Sequence, residues 1–443
     1  MNPNKSTENR RAFLSKAAFV GVSGVVGAGS LFAACSGGIN IPGVKGDGIH
    51  DDTAGIQALL DSGASTVHLP GPPKHYLISK TLKIHSGQTL IVDRNAVIRL
   101  ADHAHAHLLT NSDHSGGNSR ITVIGGIWDG NNATQIAPYH QDRENGKLPY
   151  DPDRYVGMLF QFDNVTDLHI ADLTFKDPEA FGFWGGNLHR FTIENITFDY
   201  NKLEPEFRIM CGVQIHGNSS HGRIVNLKGN SFDDMVALNT KDHPINDIAV
   251  GPITDIQVDG IWAEDTYRAV RLLSWGSPVK RIKISNIFGS LMTEAVYLSN
   301  ENTLFRPPDC EVYFEDISIS GIYTSHKPTE DWNRPPIGVH APATVTNLTI
   351  SDYSCTVKEL TTHVVLVEKG AKINRLSISN ASLFNQSDEN IAFVNNQGTI
   401  DALHFNNVYM QSKEQGQVQL LKNTGEVKLL GKANVAVNGK VEK

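Results

Sequence analysis

The feature that most constrains the fold is a repeat of short alternating runs, each broken by a polar bend. Residues 165–175 read VTDLHIADLTF, residues 191–198 FTIENITF and residues 224–232 IVNLKGNSF. The form returns as TDIQVDGIW at 254–262, KRIKISNIF at 280–288, VYFEDISISGI at 312–322 and VTNLTISDY at 345–353, and begins with ITVIGGIWDG at 121–130. Each unit is a strand of about 4–6 residues, a bend at Gly, Asn or Asp, and a second short strand. Short strands that recur at solenoid-like spacing, with almost no helical periodicity between them, mark a stacked β-solenoid. No single coil buries its own apolar face, so stacking is compulsory. The pattern predicts an all-β fold, a right-handed parallel β-helix.

One segment departs from the pattern. Residues 46–60, GDGIHDDTAGIQALL, read as a turn and a short amphipathic helix. Asp51, Asp52 or Thr53 would cap it, and Ile56, Leu59 and Leu60 share a face. Such a helix is expected to cover the open end of the solenoid, where apolar side chains and backbone donors would face water. Irregular loops are expected near 132–156, 201–210 and 300–311, and the last sixty or so residues are either final coils or a cap.

The N-terminus belongs to a different class of sequence. Arg10–Arg11 followed by Phe13–Leu14 resembles a twin-arginine export signal, and residues 17–34 are apolar and rich in Gly and Ala. The stretch ends Leu31-Phe32-Ala33-Ala34-Cys35, which looks like a bacterial lipoprotein cleavage site with Cys35 as the lipidated residue. The alternative is that Cys35 lies in a discarded cleavage region. Residues 1–34 are thus expected to be an export signal and residues 35–443 a single domain, a periplasmic or cell-surface lipoprotein of a bacterium. Contact with a membrane is expected only through the anchor, and the chain is expected to be a monomer. The net charge of -8 and the lack of a long basic run argue against a nucleic-acid partner. Cys35, Cys211, Cys310 and Cys355 are irregularly spaced without a CxxC, so neither a zinc site nor a disulfide scaffold is indicated.

Coils align by their apolar strand cores. Met210-Cys211-Gly212-Val213-Gln214-Ile215, Asp233-Asp234-Met235-Val236-Ala237-Leu238, Tyr267-Arg268-Ala269-Val270-Arg271-Leu272 and Thr293-Glu294-Ala295-Val296-Tyr297-Leu298 fit without gaps. Ala180-Phe181-Gly182-Phe183 extends the series backwards and adds Glu179. The alignment yields a polar column of Glu179, Cys211, Asp234, Arg268 and Glu294. Met210, Asp233, Tyr267 and Thr293 form a second column, and Gln214, Ala237, Arg271 and Tyr297 a third. Stacked strands lie about 4.8 Å apart, so several ionisable groups converge on one face. Asp233 and Asp234 both reach that face only if they occupy the bend before their strand. Adjacent carboxylates repel, which raises one pKa toward the range a general acid needs. Either these are paired catalytic carboxylates, or they are bend residues of a turn.

The residues also resemble a known family. GDGIHDDTAGIQ at 46–57 is similar to the N-terminal signature of pectin-lyase-like β-helix proteins. Ile124 to Asn131, IGGIWDGN, resembles a segment of polygalacturonases, glycoside hydrolase family 28, as does Asp233-Asp234 ahead of Met-Val-Ala-Leu. The resemblance covers about residues 43–300. It implies Asp233 as general acid, Asp234 as a group that helps activate water, and inverting hydrolysis of a pectic or related polysaccharide or oligosaccharide without a metal. Three positions depart from the family. Cys211 stands where it has an aspartate, Tyr267-Arg268-Ala269 where it has Gly-His-Gly, and Tyr297-Leu298-Ser299 where it has the Arg-Ile-Lys that binds the galacturonate carboxylate.

Arg268 and Arg271 are candidates for a replacement carboxylate clamp, or for structural ion pairs. Glu294 and Glu179 either act on substrate or pair with Arg268. His216 and Gln214 are candidate hydrogen-bonding groups beside the column, with a solvated loop the alternative for His216. Trp128, Trp184 and Trp275 either stack on sugar rings or pack. Alternating His103, His105 and His107 point only loosely to metal, and no metal or cofactor is expected for a hydrolase. A polysaccharide lyase is the rival chemistry, with Arg268 or Lys241 as base and Ca²⁺ neutralising a uronate. A carbohydrate-binding β-helix that has lost catalysis is the third reading, favoured by Cys211.

Overall fold

The computed structural model describes residues 41–135, 151, 154–201, 210–241, 249–299, 310–326, 334–357, 362–413 and 417–442. Residues 1–34, Cys35 and most of the loops expected near 132–156, 201–210 and 300–311 lie outside them. Among the described residues two long sheets run side by side, one of 19 strands and one of 12, with parallel pairing throughout until the last strand.

The larger sheet carries the repeat seen in the sequence. Its inward positions stack into ladders: Ile193, Ile224, Val258, Ile284, Ile319, Ile350, Ile378 and Phe405 follow one another in register. The polar bends between paired runs form a column of their own. Asp172, Asn195, Asn226, Asn286, Asp352, Asn380 and Asn407 all take φ between 51° and 61°, and Gly260 and Gly321 take 77° and 66°. Asn and Asp tolerate this left-handed region better than other side chains, and Gly adopts it freely. The amides also tie coil to coil: Asn226 Nδ2 donates to Asn195 Oδ1 at 2.7 Å, and Asn195 Nδ2 to Asp172 Oδ1 at 2.8 Å.

The helix Thr53–Leu60 buries Ile56 and Leu60 against the first coil. Its Gln57 acts as a substitute strand. Oε1 accepts from Lys83 N at 2.8 Å and Nε2 donates to Lys83 O at 3.1 Å, on the terminal strand Leu82–Ile84 of the smaller sheet. Asp52 precedes the helix, but its carboxylate turns away to accept from Lys45 N at 2.7 Å and Gly46 N at 3.1 Å. Asp51 accepts from Thr53 N at 3.0 Å instead. At the other end the final residues are coils, closed by Lys440–Glu442 running antiparallel to Glu426–Val437.

The smaller sheet positions the candidate site. Val213, Val236, Val270, Val296, Ile337 and Val365 pair in order and point into the core. Residues between them point outward, because successive strand residues alternate.

Candidate active site

The strands Cys211–His216, Asp234–Asn239, Arg268–Leu273 and Val296–Ser299 pair with the register that the apolar alignment predicts. Asp234 opens its strand and pairs with Arg268, while Asp233 sits in the bend just before it. The outward column runs Gln161, Trp184, Gln214, Ala237, Arg271, Tyr297.

Glu179 is a correction. Phe181 pairs with Cys211 and Phe183 with Val213, so the Glu179 segment is displaced by two residues from the alignment drawn in the sequence. Aromatic and aliphatic residues occupy equivalent inward positions there, and the alternation alone allows a slip of two. Glu179 is buried but stands off the column of Cys211 and Asp234, and Trp184 takes the place beside Gln214.

The column is a buried charge network. Arg268 Nη1 donates to Asp234 Oδ1 at 2.8 Å, and Arg268 Nε donates to Glu294 Oε2 at 3.0 Å. Arg271 Nε stands 2.9 Å from Asp234 Oδ2 as an ion-pair contact. Arg334 Nη1 reaches the other oxygen of Glu294 at 3.2 Å. Asp234 and Glu294 are 0 % exposed, so these guanidinium groups replace their lost hydration. Burial alone would raise the Glu294 carboxyl, but Arg268 and then Arg334 overcome it and hold the group below its ordinary range. Tyr297 lies over Arg268, with 4.3 Å from its ring centre to the guanidinium carbon. His340 meets the same ring edge-on at 4.3 Å and contacts Glu368 through Nδ1 at 2.6 Å.

On the preceding coil the surroundings change. Cys211 is fully buried with Tyr155, Val156, Met158, Ala180, Phe181 and Trp184, an apolar cluster separate from the main core. Gln214 Nε2 donates to Cys211 Sγ at 2.9 Å, and the thiol donates to Asp233 Oδ2 at 3.5 Å. Burial, and then the charge of Asp233, push the Cys211 thiol well up. Asp233 itself remains partly exposed; burial first and the neighbouring Asp234 second raise its carboxyl to about 6. Among the described residues Cys211, Asp233 and Asp234 form the one gathering of potential metal ligands, with ligand atoms within 4.8 Å of one another. Two guanidinium groups already hold Asp234, which leaves little charge there for a cation.

Other candidates fall elsewhere. His216 is buried at the end of its strand beneath Trp184, the rings stacked 3.4 Å apart, rather than in a solvated loop. Trp128 is core: it packs edge-on against Phe160 and its indole donates to Gly125 O at 3.0 Å. Trp275 lies under Lys241 at 5.5 Å. His103, His105 and His107 occupy a loop, and His107 is buried between the carbonyls of Met158 and Arg154, each 3.1 Å away. Sequence reasoning missed Arg334 and His340, because the spacing from Val296 to Ile337 is longer than that between the earlier aligned runs.

Long parallel sheets and, among the described residues, a single capping helix decide the architecture, and solved structures agree. The surface adhesin PfbA of Streptococcus pneumoniae matches with a TM-score of 0.53 at 16% identity, over 88% of this chain and 91% of the adhesin. A family 28 exopolygalacturonase of Yersinia enterocolitica matches with a TM-score of 0.51 at 14% identity, over 90% and 77%. The N-terminal fragment of bacteriophage phi29 gene product 12 matches with a TM-score of 0.57 at 14% identity, over 90% and 71%. The fold is the right-handed parallel β-helix that these proteins share. No family model and no curated protein matches the chain in sequence. An adhesin, a hydrolase and a phage protein share the β-helix, so function has to be argued from the site.

Proposed function

We propose that this β-helix protein hydrolyses a glycosidic bond in a polysaccharide or oligosaccharide, with Asp233 as proton donor. The observation that carries the reading is the unequal environment of two adjacent carboxyl groups. Asp233 is partly exposed with its pKa raised to about 6, while Asp234 lies 2.8 Å from Arg268 and 2.9 Å from Arg271. A carboxyl raised in this way suits the role of the acid, and its ion-paired neighbour stays beside it as a carboxylate partner. Asp233 protonates the leaving oxygen, the C1–O bond breaks with its electrons passing to that oxygen, and water adds at C1. Asp234 orients that water and takes its proton.

One of the two candidate lyase bases is disfavoured on physical grounds. Burial opposes the charge of Arg268, but Asp234 and then Glu294 overcome it and hold the guanidinium protonated above its usual range, so it is no base. The binding reading has one specific support: Cys211, fully buried in the coil before the acid pair, supplies no carboxylate.

The test is a panel of pectic and neutral oligosaccharides followed by product mass, with Asp233→Asn and Asp234→Asn alongside. Cleavage by the parent that either variant abolishes supports the reading. Cleavage that survives both moves the chemistry elsewhere, and binding without turnover favours the carbohydrate-binding alternative. The export reading is a proposal of its own kind, resting on Arg10–Arg11 and on Cys35. Cells fed a labelled fatty acid should label the parent chain and not Cys35→Ala.

A further inference from the structure

Resting on the glycosidase reading, we propose that the sugar seated beside the acid pair is uncharged, and that Gln161 and Trp184 bind two of its adjacent hydroxyls. The first argument is the balance of charge. Arg268 and Arg271 are held by Asp234, and Arg268 and Arg334 by Glu294. Turning one of these guanidinium groups toward a substrate carboxylate would leave a fully buried carboxylate with one of its two partners. Among the described residues, these three guanidinium groups are therefore committed within the protein.

The second argument is independent. Gln161 and Trp184 are paired neighbours in the outward column, about 4.8 Å apart by strand spacing. Each is 4 % exposed, and among the described residues Gln161 Oε1 and Trp184 Nε1 have no hydrogen-bond partner. Both are fixed in direction. Gln161 Nε2 donates to Asp163 Oδ2 at 2.8 Å, which leaves Oε1 as the outstanding acceptor, and the indole is stacked on His216 at 3.4 Å. Buried polar atoms left without partners call for an explanation. An acceptor beside a donor fits two neighbouring hydroxyls, one donating and one accepting. A carboxylate only accepts, and would face Gln161 Oε1 with a second acceptor. The pair leads directly to the acids: Gln214 follows Trp184 in register and bonds Cys211, which touches Asp233.

The experiment titrates the mature chain carrying Asp233→Asn with oligogalacturonate and with the same oligomer after reduction of its carboxyl groups. An array of neutral and uronate-containing glycans is probed in parallel. Neutral ligands should be preferred, and Trp184→Phe, which removes the indole N–H and keeps an aromatic ring in its place, should weaken their binding by about tenfold. Gln161→Met is the second variant, should Trp184→Phe fail to melt cooperatively. Preference for the uronate, or binding insensitive to both variants, overturns the inference while a cleaving parent keeps the glycosidase reading. Neutral glycan bound but left intact by the parent sinks the glycosidase reading and keeps the subsite. No ligand on the array overturns both.

Discussion

At Asp233 catalysis and stability respond to pH in the same direction. A proton donor raised to about 6 works only while protonated, so kcat/KM should fall as pH rises through about 6. A pH–rate profile checks this, and Asp233→Asn should lower the rate by about 10²–10⁴. The stability sign follows from the raised pKa. The folded state holds the proton more tightly than the unfolded chain, so the stability this group contributes is present at low pH and is lost as pH rises through about 6. Asp233→Asn escapes that loss, and its melting temperature relative to the parent should climb between about pH 4 and about pH 8. Arg268 is the opposite case, because its removal leaves Asp234 and Glu294 buried with weaker partners. Arg268→Ala should cost about 3–5 kcal/mol in urea unfolding. Arg268→Leu combined with Glu294→Leu should cost less than the sum of the two single changes, since the second removes a charge that the first strands.

At the scale of the element, the bend column decides where each strand turns. Asn226 holds φ 57° between Asn195 below it and Gly260 above it. A β-branched side chain is strained there, so Asn226→Val should destabilise the coil by about 1–2 kcal/mol. Asn226→Gly should be close to neutral, since it loses only the exposed amide bond to Asn195. Hydrogen exchange in the strand Ser219–Gly229 would report both. Gly222 shows the same logic in the core: a Cβ at that position would collide with the ring of Phe191 on the neighbouring coil.

At the scale of the molecule, one apolar core runs from Val44 to Val435, and each coil is stabilised chiefly by its neighbours. Such a structure is most vulnerable at its ends. The helix Thr53–Leu60 and Gln57 occupy the terminal strand of the smaller sheet. A chain that begins after Leu60 should expose Leu82–Ile84 as an open edge and associate, which size-exclusion chromatography would show as higher oligomers.

Much of this was legible in the chain because a solenoid repeats one local rule. Alternating runs and Asn, Asp or Gly bends dictate the coil, and the valines at 213, 236, 270 and 296 settle the register that sets Cys211, Asp234, Arg268 and Glu294 in line. Where inward residues changed type, as between Phe183 and Val213, the pattern no longer distinguished a register from one slipped by two, and Glu179 was misplaced. Hydrogen-bond partners and burial lay beyond any linear pattern, because they depend on which side chains neighbouring coils bring together. Only the tertiary structure buried His216 beneath Trp184, closed Arg268 between Asp234 and Glu294, brought Arg334 and His340 to the site, and left Gln161 Oε1 and Trp184 Nε1 without partners among the described residues.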